Sequence, residues 1–290
     1  MAKRPNICDY HDVYEAEVTD TFCDPIFNKR NIIAEGDSWF TIGGQSLQYP
    51  WFTNILYTLR FSEEVLILNL AEPGDTIKHI SSMPRDQSFK FAIEEHTTTP
   101  WDAIILSAGG NDLIDKARTL IKNRLERQGD IIRKPADYCK QIEVNNFLQN
   151  IENHYRRLAT IRGNHAIPIV LHTYDYPTPR DAPARFFGVG LLGPWLYPCM
   201  KNAEIPKTDW QALSDYLFDQ LAVRLLSLEN GANPIANFHV VDTRHLLTRA
   251  ALDSTGESGD WMNEIHPNKN GYKKIAHKIE QKLKMINAIH

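Results

Sequence analysis

The chain has 290 residues, 42% of them hydrophobic and 23% charged, with a net charge of −4. That length and balance suit one large globular domain. The mild acidity excludes an electrostatic case for nucleic acid or an anionic membrane surface as a partner, and no apolar run approaches the roughly 20 residues of a transmembrane segment.

The N-terminal stretch MAKRPNICDYHDVYEAEVTD holds no apolar core of the signal-peptide type. The expected location is therefore the cytoplasm, or the exterior by a leaderless route. Cys8, Cys23, Cys139 and Cys199 are scattered and form no C-x-x-C pair. Four reduced thiols are expected, not a zinc knuckle or a disulfide scaffold.

Short apolar runs follow at 31–34, 65–70, 103–108, 168–174 and 238–243. They are near-continuously apolar, the pattern of strands covered on both faces of a parallel sheet. Helical patterns lie between them. In 143–162, Val144, Phe147, Leu148, Ile151, Tyr155, Leu158 and Ile161 recur at spacings of three and four, giving one apolar stripe. A second helix spans 208–228, with Asn230-Gly231 as its stop. A last helix runs from about Pro267 to Ile286, the proline in its first turn. The alternation predicts a doubly wound α/β fold on five parallel strands, residues 1–290 forming one domain with an N-terminal extension at 1–30.

One segment breaks the pattern. Residues 174–205 are rich in proline and also carry Phe186, Phe187, Leu191, Leu192 and Trp195. This is too apolar for an ordinary exposed loop and too proline-rich for a regular element. It reads either as a lid or binding loop, or as a loop packed for stability.

Polar clusters sit just past the ends of the predicted strands. They are Gly36-Asp37-Ser38, then Ala71 to Asp75 with Gly74, then Gly109-Gly110-Asn111-Asp112. A fourth, at 259–272, follows the last strand and supplies His266. In open α/β sheets this edge is where ligands bind. A serine hydroxyl needs a neighbouring base to become a nucleophile, and His266 is a candidate base. Attack on an ester creates an oxyanion, for which the backbone N–H groups of Ser38 and Gly74 and the side-chain amide of Asn111 are candidate donors. Each cluster alone is commonly a turn or a helix cap. Their order, strand-end placement and complementary roles make the set specific.

The set resembles the SGNH hydrolases, the GDSL-type esterases and lipases, with Ser38, Gly74, Asn111 and His266 at the four defining positions. The resemblance covers about 31–286. It implies a flavodoxin-like α/β/α three-layer sandwich with a five-stranded parallel sheet. It also implies hydrolysis of a small-molecule or lipid ester through an acyl-enzyme on Ser38, without cofactor or metal. The family carries Asp three residues before the histidine, where this chain has Asn263. Asn263 is the expected orienting group by position, with Asp260 as a charged substitute and Asp242 as a more distant one. The apolar segment mildly favours a hydrophobic acyl group. A carbohydrate O-acetylesterase and a weak or inactive binding protein on the same fold are the alternatives. No H-E-x-x-H, G-x-G-x-x-G or P-loop sequence is present, and 253–260 lacks the ligand spacing of a calcium loop. Oligomeric state is not legible.

Overall fold

The computed structural model describes residues 2–14, 22–42, 53–82, 87–94, 100–163, 166–186 and 190–289. Residues 187–189 of the apolar segment, Phe187 among them, lie outside that set. The strands are β1 (Asn6–Cys8), β2 (Arg30–Gly36), β3 (Val65–Asn69), β4 (Ala103–Ser107), β5 (Ile169–His172), β6 (Ala184–Phe186), β7 (Gly190–Leu192) and β8 (Phe238–Val241). The helices are α1 (Tyr10–Tyr14), α2 (Ser38–Thr41), α3 (Ile55–Thr58), α4 (Ile77–Ile80), α5 (Gln87–Glu94), α6 (Gly110–Leu120), α7 (Gln141–Arg162), α8 (Leu196–Asn202), α9 (Trp210–Asn230) and α10 (Lys269–Met285).

The five apolar runs of the sequence are all strands of one sheet. Among the described residues that sheet has six strands, in the order β1-β3-β2-β4-β5-β8, and every pairing is parallel. The expected count of five is corrected by β1, which comes from the N-terminal extension and pairs with β3 at the edge. Its three residues are too few to stand out as a periodic pattern. The other five run in the flavodoxin-like order. A small antiparallel pair, β6 and β7, lies within the 174–205 segment.

Helices flank the sheet in two groups. On one side α10 packs against α3 and the sheet; on the other, α7 packs with α4, α6 and α9. The stripe read from 143–162 is the buried face of α7. The last helix begins at Lys269, two residues past Pro267, because Asn268 caps it by accepting from the N–H groups of Asn270 (3.0 Å) and Gly271 (3.1 Å).

One further expectation changes. Cys8, at the end of β1, is bonded to Cys23, with Cα atoms 5.9 Å apart. Only Cys139 and Cys199 are free, so four reduced thiols is corrected to two. The fifteen-residue separation of Cys8 and Cys23 in sequence carried no pairing signal. No helix among the described residues is long and apolar enough to cross a membrane.

Candidate active site

The chain order of the sheet reverses between β2, whose next strand lies on one side, and β4, which lies on the other. Loops leaving those two strands diverge and open a crevice. Ser38 and Asn111 stand at that point. Gly36 pairs with Ser107 across the two strands, and a Cβ on Gly36 would lie 2.4 Å from the Ser107 carbonyl oxygen. Only glycine permits the approach, which the Asp37 N–H bond to the Ser107 carbonyl (2.9 Å) then fixes. Asp37 is the N-cap of α2 and accepts from the Trp39 N–H at 2.9 Å. Ser38 is thus the first residue of the helix.

Asp37 also accepts from the Ser107 hydroxyl (2.8 Å) and the Tyr174 hydroxyl (2.5 Å). Burial pushes its carboxyl up to about 6, against the opposing pull of these donors. The bulky residue after the serine has a structural task. The Trp39 ring stacks on His172 (centroids 5.5 Å apart) and meets Tyr174, Trp261 and Tyr272 edge-on. Its indole N–H donates to the carbonyl of Ile265 at 3.2 Å. The helix bearing Ser38 is therefore tied directly to the loop bearing His266.

Ser38 Oγ and His266 Nε2 are 2.9 Å apart, and both residues are buried. His266 Nδ1 lies 3.0 Å from Asn263 Oδ1. The same oxygen accepts from the backbone N–H groups of Ile265 (3.1 Å) and His266 (2.9 Å). Those two donors fix which end of the amide is oxygen, since a flipped amide would set NH₂ against them. Nδ1 must then carry the ring proton, leaving Nε2 to accept from the serine. Burial lowers the imidazole to about 3, so it is neutral across ordinary working pH. A neutral imidazole in hydrogen-bond reach of a hydroxyl is an arrangement that can accept its proton.

The two carboxylates offered as substitutes lie elsewhere. Asp260 accepts from the Thr248 N–H (2.6 Å) and pairs with Lys274 (2.5 Å). Burial acts to raise its carboxyl, but Lys274 and Thr248 outweigh it and hold it below the usual range. Asp242 pairs with Arg244 (2.7 Å) and accepts from the Thr173 hydroxyl (3.2 Å). Asp260 is occupied by its own lysine and backbone donor.

Asn111 Nδ2 donates to the Asp75 carbonyl at 3.0 Å, linking the start of α6 to the turn containing Gly74. An amide NH₂ has two hydrogens, and this bond uses one. Gly74 is exposed with φ +87°, a left-handed conformation that favours glycine. Gly110 serves a different purpose, because a Cβ there would meet the Tyr174 ring at 2.7 Å. Asp112 accepts from the Ile77 N–H (2.9 Å) and holds α4 against α6; burial raises its carboxyl to about 6.

Further residues complete the surroundings, most of them in the 174–205 segment, and of these the sequence did not single out Arg180. Arg180 is fully buried and donates to the Asn263 carbonyl (2.6 Å). It also donates to the Ser254 hydroxyl (3.0 Å) and to the Gly256 carbonyl. The stretch with a faint look of a calcium loop thus wraps a guanidinium. Glu264, also fully buried, accepts from four backbone N–H groups, those of Arg180 (3.2 Å), Trp195, Leu196 (3.0 Å) and Tyr197 (2.7 Å). Burial raises its carboxyl to about 7 against those donors. This anchorage places the Trp195 ring edge-on to His266, centroids 5.6 Å apart.

Residues 32–279 match the GDSL-like Lipase/Acylhydrolase family. Among curated proteins, none matches the chain. Similar solved structures include the lipase Lip_vut3 from a goat rumen metagenome, at 16% identity, covering 87% of this chain and 96% of that one, with a TM-score of 0.46. The lipase/acylhydrolase from Enterococcus faecalis is 14% identical over 89% and 96% of the two chains, TM-score 0.43. A GDSL-like lipase from Bacteroides thetaiotaomicron is 12% identical over 89% of each, TM-score 0.40. With most of its length matched, the chain belongs to the GDSL-like lipase/acylhydrolase family and is a hydrolase acting on ester bonds.

Proposed function

We propose that the chain is a serine esterase that works through an acyl-enzyme on Ser38. The observation that carries this reading is the hydrogen-bonded chain from Ser38 Oγ to His266 Nε2 (2.9 Å) and from His266 Nδ1 to Asn263 Oδ1 (3.0 Å). His266 takes the Ser38 proton as Oγ attacks the ester carbonyl carbon. The resulting oxyanion is stabilised by the Ser38 and Gly74 backbone N–H groups and the second N–H of the Asn111 amide. His266 then gives its proton to the departing alcohol oxygen, and the acyl group remains on Oγ. Water repeats the sequence and releases the acid. Asn263 holds the productive tautomer without supplying charge, a weaker support for the imidazolium than a carboxylate. The reaction needs no cofactor from these groups.

The described residues of the 174–205 segment that pack on the histidine loop act in this reading as a wall. Its buried Arg180 and the N–H groups that Glu264 gathers hold it to the histidine loop. The test is Ser38→Ala. Hydrolysis of 4-nitrophenyl acetate should fall on the order of 10⁴-fold or more, with the thermal midpoint little changed. Retained turnover in the pure, folded variant refutes Ser38 as nucleophile.

A further inference from the structure

The net charge of −4 gives no electrostatic case for an anionic partner, but the charge is unevenly placed. Helix α10 carries six lysines and one glutamate in 17 residues. α7, of similar length, mixes two glutamates with three arginines. The apolar stripe of α10, from Tyr272 through Ile275 and Ile279 to Leu283, is buried, and the helix packs on α3 and the sheet. The lysines therefore fall on the outward side. Lys269, Lys273 and His277 follow one another at spacings of four, and Lys274, Lys278, Gln281 and Met285 at four, three and four. Two exposed rows thus run side by side along the helix.

Few carboxylates answer these lysines. Asp260 takes Lys274 (2.5 Å) and Glu229 takes Lys282 (2.8 Å). Glu280 is buried, accepting from the Arg60 N–H at 2.5 Å and lying 3.5 Å from His277. Lys269, Lys273, Lys278 and Lys284 are exposed and join no ion pair among the described residues. Like charges at spacings of three and four on a helix repel, and a surface of opposite sign relieves that repulsion.

We infer that the lysine face of α10 docks the protein on an anionic lipid surface. The helix offers no arginine for bidentate phosphate contacts and no exposed aromatic for base stacking, the means by which proteins grip nucleic acid. It presents point charges along about 25 Å of helix, which suits the diffuse charge of anionic headgroups. Met285, 74% exposed in one of the two rows, supplies an apolar side chain that can enter the headgroup layer. α10 begins three residues after His266, so docking sets one end of the bound helix beside the histidine loop. The contact uses none of the groups assigned to ester hydrolysis and does not rest on that reading.

The test is sedimentation of the whole chain with sucrose-loaded vesicles. The protein should pellet with vesicles of phosphatidylcholine and phosphatidylserine at low salt and stay in solution with phosphatidylcholine alone. It should leave the anionic vesicles at about 1 M salt, where charges are screened beyond roughly 3 Å. Each lysine near such a surface is worth roughly fivefold in partition, from about 1 kcal/mol. The variant K269Q/K273Q/K278Q/K284Q should therefore bind about 100-fold or more weakly. A control that removes four exposed cations elsewhere, K116Q/R118Q/R133Q/K134Q, should keep most of the binding. Circular dichroism checks that each variant folds. Should the α10 variant fail to fold, Lys273→Glu alone, expected to cost about 25-fold, decides in its place. No binding to the anionic vesicles, equal binding to phosphatidylcholine alone, an unchanged partition in the α10 variant, or an equal loss in both variants overturns the inference. So does duplex DNA or polyglutamate that binds this face more tightly than the vesicles at the same salt.

Discussion

Replacing Asn263 by aspartate isolates the one unusual member of the site. The Asn263 amide oxygen lies 3.0 Å from His266 Nδ1 and also accepts two backbone N–H bonds. An isosteric carboxylate can keep all three contacts while adding a charge about 4 Å from the centre of the imidazolium. At an effective dielectric constant near 20, that attraction is on the order of 4 kcal/mol, or roughly three pKa units. The sign follows directly, because a nearby negative charge favours protonated His266 and raises its pKa. In the wild type, burial keeps that imidazole near 3, so the acid limb of kcat/KM should lie well below the ordinary histidine range. In Asn263→Asp it should move upward by about two to three pH units. kcat on the plateau should be kept or raised, since the charge also stabilises the imidazolium in the transition state. The assay is hydrolysis of 4-nitrophenyl acetate from pH 3 to 9. An unmoved acid limb in a folded Asn263→Asp protein refutes the assignment of Asn263 as the partner of His266.

The remaining expectations test the surroundings. Glu264→Gln sets an NH₂ group against backbone donors, so stability in a urea titration should fall by about 2–4 kcal/mol, while an unchanged midpoint contradicts its role as anchor. Unfolding without reductant and titrating thiols should expose two per chain, not four. Cys8→Ser should lower stability by about 3 kcal/mol, as expected for releasing a loop of this length; four titratable thiols refute the pairing. Deleting 181–197 removes the Trp195, Leu196 and Tyr197 groups bound to Glu264. It should cut turnover of acetate and octanoate esters alike, whereas a loss confined to long chains identifies the segment as a lid.

What the sequence made legible is mainly what depends on local pattern. Near-continuous apolar runs located β2, β3, β4, β5 and β8, since strands covered on both faces have no polar side to break the run. The spacing of Asn263 and His266 was readable because the amide folds back over its own short turn. By contrast, β1 is three residues long and gains its place only by pairing with β3. The Cys8–Cys23 bond and the disposal of Asp260 on Lys274 depend on residues brought together by the fold. Arg180 and Glu264 were the hardest to see. Buried charges in loops have no periodicity, and their worth comes from carbonyls and N–H groups distant in sequence. Of the apolar residues that marked the 174–205 segment, Leu192 is exposed and Trp195 half-buried, so the composition of a loop did not foretell which of its side chains pack inward.

The central claim is that Ser38 forms the acyl-enzyme. Its most direct test is labelling with a fluorophosphonate followed by mass mapping of the proteolysed chain. The account predicts one adduct per chain, on the peptide containing Ser38, and its loss in both Ser38→Ala and His266→Ala. An adduct on any other residue, or none on a folded wild-type chain, contradicts it.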